Sequence, residues 1–173
     1  MKKIIFTIIY LTIFSFMNNS LVLGGALNVT MGENKQGYKK AYFAGGCFWC
    51  MEESYDKVKG VVKSISGYSG GHVKNPTYKQ VIHEKTGHVE AIEVTYDPSL
   101  TSYKKLLNVF WKNVDPFDAT GQFCDKGESY RSVAFYRNKA QKSHIEKSVK
   151  DIESKFKDKQ VLTLIWAFEK FYP

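Results

Sequence analysis

Ala41-Tyr42-Phe43-Ala44-Gly45-Gly46-Cys47-Phe48-Trp49-Cys50 reads as a strand, a glycine turn, a cysteine and the first turn of a helix. An apolar run precedes the two glycines. Beyond them Phe48, Met51, Tyr55 and Val58 recur at i, i+3, i+7 and i+10, one stripe of an α-helix. A cysteine at that junction meets unpaired backbone N–H groups and the positive end of the helix dipole, both of which favour the thiolate. The competing reading is a small buried hydrophobe, as free cysteines often are. Two glycines in front and Cys50 three residues later favour the nucleophile.

Downstream, Gly60 closes the helix and Val61 to Tyr68 is a β-branched strand. Gly67-Tyr68-Ser69-Gly70-Gly71 lacks the Lys-Ser/Thr ending of a phosphate loop, so it is a turn or a close backbone approach. Asn75-Pro76-Thr77 opens a short helix through Ile82. In the strand His88 to Tyr96, Glu90 shares a face with Ile92, Val94 and Tyr96, whereas Glu93 points the other way. A carboxyl on an apolar face loses solvation and favours its neutral form, which a general acid needs. A strand frayed at its start would instead let Glu90 reach water.

Thr101 or Ser102 caps a helix whose core stripe is Tyr103, Leu106, Leu107, Phe110, Trp111 and Val114. A loop without periodicity from Phe117 to Tyr130 carries Cys124, Asp125 and Tyr130, and loops of that length are often functional. Arg131 to Tyr136 is a strand. Asn138 caps a long helix with core positions Ile145, Val149, Ile152 and Phe156. Its outer face carries the pairs Glu146/Lys150, Asp151/Lys155 and Glu153/Lys157. The nearly all-apolar run Val161 to Phe168 predicts a strand that is central or buried on both faces. The element order predicts an α+β fold, a two-layer α/β sandwich with a mixed sheet and a ferredoxin-like (split βαβ) core.

The chain has 173 residues, 43% hydrophobic, with a formal charge of +8. That suits one folded domain. The basic residues lie mostly beside Asp and Glu and form no cluster alternating with aromatics, which argues against nucleic-acid binding. The three cysteines, an odd number, argue against a disulfide framework, and no Cys/His spacing resembles a metal site. Lys2-Lys3, the apolar stretch Ile4 to Met17 and small residues Gly24-Gly25-Ala26 predict a signal peptide over 1–26. An uncleaved anchor tethering the domain to a membrane is the alternative. Residues 27–37 read as a linker and 38–173 as the catalytic domain, exported to the periplasm or the extracellular space.

Cys47-Phe48-Trp49-Cys50 is a C-x-x-C whose bulky middle pair suits an apolar pocket beside a nucleophile better than general disulfide exchange. This motif, with Ser66-Gly67-Tyr68-Ser69-Gly70-Gly71, Asn75-Pro76-Thr77-Tyr78, Gly87-His88-Val89-Glu90-Ala91 and Tyr130-Arg131-Ser132, closely resembles the peptide methionine sulfoxide reductase A family, in the family's order. The resemblance implies an oxidoreductase that repairs oxidised proteins. Cys47 attacks the sulfoxide sulfur of methionine (S)-sulfoxide, free or in peptides. Glu90 protonates its oxygen, Tyr78 and Tyr130 hydrogen-bond that oxygen, Phe48 and Trp49 hold the S-methyl group, and Asp125 anchors the substrate.

A Cys47 sulfenic acid and then a disulfide follow, with recycling by thioredoxin or a thioredoxin-like reductant. The resemblance implies no metal or organic cofactor and a monomer. Cys124 and Cys50 are the candidate resolving thiols. Cys124 is favoured because loop motion costs less than unwinding the Cys47 helix. The resemblance implies a C-terminal tail beyond Pro173, so this chain departs from the family's pattern there as well as in its resolving cysteine. An exported C-x-x-C disulfide oxidoreductase, a basic exported binding module with incidental cysteines, and a nonfunctional remnant are the competing readings.

Overall fold

Strands β1 (Lys39–Ala44) and β3 (Val89–Tyr96) run antiparallel at the centre of a six-stranded sheet, with Lys39 opposite Tyr96 and Phe43 opposite Ile92. The structure is a computed structural model and describes residues 37–83 and 85–173. The expected signal peptide and all but the last residue of the linker lie outside the described residues.

The other strands of the sheet are β2 (Val61–Ser69), β6 (Val133–Tyr136), β7 (Leu164–Ala167) and β8 (Phe171–Tyr172), in the order β7-β6-β1-β3-β2-β8. A small hairpin of β4 (Gly121–Gln122) and β5 (Asp125–Lys126) stands apart. The helices are α1 (Phe48–Asp56), α2 (Tyr78–His83), α3 (Tyr103–Lys112) and α4 (Lys139–Lys155). With α1 joining β1 to β2 and α3 lying between β3 and β6, the inner order β6-β1-β3-β2 is the split βαβ arrangement. Only β6 and β7 are parallel, joined by α4 as the crossover, so the sheet is mixed, as expected.

Period-two alternation sends Ala41, Phe43, Ile92 and Val94 to one face, where they meet Met51 and Tyr55 of α1, Leu106 and Phe110 of α3 and Ile145 of α4. Phe43 is the centre of that layer, its ring 5.2 Å from Phe110 and 5.5 Å from Tyr55. The caps are as expected for α3, where Ser102 accepts from Lys105 N, and for α4, where Asn138 accepts from Gln141 N.

Two expectations about the C-terminal third are corrected. The apolar run after Val161 forms a short edge strand, β7, that is only half-buried. Its aromatic residues do not build the sheet centre. Trp166 and Phe168, with Phe171, fold over the second face and cover Tyr42, Ala44, Ala91 and Phe135, and Phe168 stacks 3.7 Å from Tyr42. On α4, Ile145 is buried and Val149 and Ile152 are half-buried. Phe156 is the exposed C-cap, because its backbone has left the helix (φ −119°, ψ 66°) and turned its ring toward Phe117. Glu146 pairs with Lys142, not Lys150, and Glu153 accepts from Val161 N.

Candidate active site

Cys47 is the N-cap of α1, with extended backbone (φ −54°, ψ 116°), at the junction between glycine turn and helix where the sequence pattern places it. Gly46 makes the turn at φ +81°, and a Cβ there would stand 2.7 Å from Gln122 Cβ. Only glycine combines that conformation with that approach. Gln122 is fully buried: it accepts from Asp115 N and donates to the Asp115 and Gly121 carbonyls. The β4–β5 hairpin is thereby locked against the cysteine turn.

The N–H groups that open α1 have no partner within the helix. The first, Phe48 N–H, donates to Glu90 Oε2 at 3.1 Å. Glu90 lies where its strand parity placed it, 2% exposed, inside a strand that already pairs at Val89, so fraying does not release it to water. Burial pushes its pKa up, the Phe48 N–H opposes that, and the Asp125 charge adds to it. Glu93 faces the opposite side, bonded to Lys40 Nζ at 2.6 Å and Tyr42 Oη at 2.7 Å.

Aromatic residues enclose the carboxyl. Tyr130 ends a 3₁₀ turn (Glu128–Tyr130) and lies beside Tyr78 on α2. Burial first, then the Glu90 charge and the neighbouring Tyr78, push its pKa up to about 12, so its phenol stays a donor. The Phe48 ring lies 5.6 Å from Trp49, 5.8 Å from Tyr68 and 6.4 Å from Tyr78. Trp49 is 70% exposed and forms a rim, while Phe48 is buried and forms the floor.

Cys47 also lines a cleft of about 280 Å³ together with Cys50, Cys124, Asp125, Phe123 and Asn113, among others. All three cysteines are free thiols. The Cys47 side chain beside Cys50 first, then burial, raises the Cys50 pKa. Cys124 is exposed in the turn of the hairpin. A larger hollow of about 490 Å³ beside His72, Trp166 and Lys170 contains no thiol. Among the described residues, no group of three or more His, Cys, Asp or Glu is disposed to hold a metal ion.

The structure therefore brings Cys47, Cys50, Cys124 and Asp125 to one cleft, and Phe48, Asp125 and Tyr130 to Glu90, with Tyr78 beside Tyr130. Tyr68, read only as part of a glycine loop and a motif, and Gln122 carry no role in the sequence reading. Tyr68 stands directly opposite Glu90, a relation visible only once the β2–β3 register is known. Gln122 has no local signal at all.

A cysteine followed by an N–H that holds a buried acid, sharing a cleft with two further thiols, defines a thiol-based reductase on an α+β sandwich. A family profile described as peptide methionine sulfoxide reductase matches residues 39–173. The chain is 52% identical over 141 residues to peptide methionine sulfoxide reductase MsrA of Listeria monocytogenes serotype 4b, covering 80% of this chain and 79% of that protein. Mxr1 of Saccharomyces cerevisiae in reduced form superposes with a TM-score of 0.72 at 27% identity, covering 82% of each chain. Mxr1 in complex with Trx2 superposes with a TM-score of 0.55 at 22% identity, covering 83% of this chain and 85% of that one. The chain belongs to the peptide methionine sulfoxide reductase A family. Its reaction is the thiol-dependent reduction of methionine sulfoxide.

Proposed function

We propose that Cys47 is the nucleophile, Glu90 the general acid, and the S epimer of methionine sulfoxide, free or in proteins, the substrate. The buried Glu90 carboxyl, held by the N–H that follows Cys47, is the observation that carries this reading. The Cys47 sulfur bonds to the sulfoxide sulfur while Glu90 passes its proton to the oxygen. Tyr130 and Tyr78 donate to that oxygen, Phe48 and Trp49 receive the methyl group, and Asp125 anchors the substrate on the hairpin side. Transfer of the hydroxyl to Cys47 leaves methionine and a sulfenic acid. The substrate sulfur gains two electrons and Cys47 loses two. A second thiol displaces the hydroxyl as water and forms a disulfide.

Against the preference for Cys124 drawn from the sequence, Cys50 supplies that thiol first. Its contact with Cys47 and the N-cap position of Cys47 mean that joining them does not unwind a helix. Cys124, in the same cleft, is the alternative partner. The yeast relative's complex with Trx2 supports a thioredoxin-like dithiol as the electron source. The domain acts as a monomer, because the nucleophile, acid and candidate resolving thiols all come from one chain. Lys2-Lys3 and the apolar stretch that follows support action outside the cytoplasm.

The test is single turnover of pure S and pure R sulfoxide without added reductant, with thiols counted afterwards. One S-sulfoxide reduced per chain with loss of two thiols is expected. Cys50→Ser retains the reduction and accumulates sulfenic acid. Reduction of neither epimer by folded protein would overturn the reading.

A further inference from the structure

Four elements bear on the Glu90 carboxyl: the Phe48 N–H of α1, Tyr68 of β2, Asp125 of β5 and Tyr130 of the 3₁₀ turn, with Tyr78 of α2 beside Tyr68 and Tyr130. They do not enclose it equally. Tyr78 is 48% exposed on a six-residue helix, and Asp125 brings charge, not cover. Tyr130 is assigned to the substrate oxygen. Tyr68 is different in kind. It sits on a nine-residue strand paired on both sides, opposite Glu90 on β3 and opposite Tyr172 on β8. Directly paired residues on one face of a sheet have Cβ atoms about 5 Å apart. Its ring lies 5.8 Å from that of Phe48, and it packs on the helix-side core. A rigid aromatic side chain therefore stands beside the acid.

We propose that Tyr68 is a positioning residue whose ring walls Glu90 off from solvent and so keeps the carboxyl in its proton-bearing form. The inference rests on the reading of Glu90 as the acid. Burial and the Glu90 and Tyr78 charges raise the Tyr68 pKa, which agrees with a neutral phenol close to the carboxyl. The ring does the work, not the hydroxyl. Removing the ring admits water, stabilises the ionised carboxylate and lowers the pH above which the acid is lost.

The experiment compares the parent, Tyr68→Phe and Tyr68→Val, a substitution that retains β propensity. It reads the alkaline limb of the single-turnover rate and, independently of turnover, a ¹³C titration of the Glu90 carboxyl. In Tyr68→Val both move to lower pH by about one unit, the usual spread that environment imposes on a carboxylate. In Tyr68→Phe both stay with the parent. Unmoved values in a folded Tyr68→Val chain overturn the proposal, as does an equal shift in both variants, which would assign the effect to the hydroxyl. Tyr68→Leu replaces the valine variant if that chain does not fold, with a shift in the same direction expected. The same limb surviving in Glu90→Gln would overturn the acid reading itself, while the carboxyl titration still reports whether Tyr68 governs Glu90.

Discussion

Glu90→Gln should make the protein inactive and, over part of the pH range, more stable. Glutamine matches the shape of the carboxyl and its Oε1 can accept the Phe48 N–H that Glu90 Oε2 now accepts at 3.1 Å. The fold is therefore preserved while the transferable proton is removed. General acid catalysis contributes about 10²- to 10⁴-fold, so the single-turnover rate should fall by that factor, about 3–5 kcal/mol of barrier. The stability change has the opposite sign. Burial raises the Glu90 pKa above its value in the unfolded chain, so the folded state binds the proton more tightly. The resulting stability is complete below the ordinary carboxylate pKa and falls as pH rises toward the raised value. Above that value the ionised carboxylate is a constant penalty, about 1.4 kcal/mol for each unit of displacement. Glutamine carries no such penalty. Urea unfolding of parent and variant should give a difference in favour of glutamine that grows from the acid range and then levels off. A Gln variant with the parent rate, or one less stable than the parent at alkaline pH, would refute the reasoning.

Tyr130→Phe removes one donor to the substrate oxygen and should slow single turnover about 100-fold, as loss of an oxyanion donor does; an unchanged rate would take Tyr130 out of the chemistry. Gly46→Ala places a side chain at φ +81° and against Gln122, and should cost about 1–3 kcal/mol in chemical denaturation; a parental midpoint would contradict the strained turn. Tyr42→Phe leaves the buried Glu93 with Lys40 alone and should cost about 1.5–3 kcal/mol, while turnover stays at the parent value because the pair faces away from Cys47.

The readable parts of this chain are those set by neighbours a few residues away. The α1 stripe, the α3 stripe, the Ser102 and Asn138 caps and the opposite faces of Glu90 and Glu93 all follow from helical and strand periods. The readings that failed depend on which surfaces meet. An apolar run looks the same whether it fills the sheet centre or lies at its edge, so β7 was misplaced. The α4 period runs on to Phe156 because a period alone does not show where the backbone leaves the helix.

By itself the sequence determined the strand-turn-helix that presents Cys47, the side of β3 on which Glu90 lies, and the split βαβ order of elements. Backbone sterics and side-chain periods act locally, so these features survive without knowledge of the fold. Tertiary structure alone decided that Phe48 N–H meets Glu90 across 42 residues of chain, that Tyr68 stands opposite that acid, and that Gln122 pins the hairpin so that Cys124 shares the cleft of Cys47 and Cys50. Those contacts arise from sheet register and from burying both faces of one sheet, and no stretch of sequence specifies them in isolation.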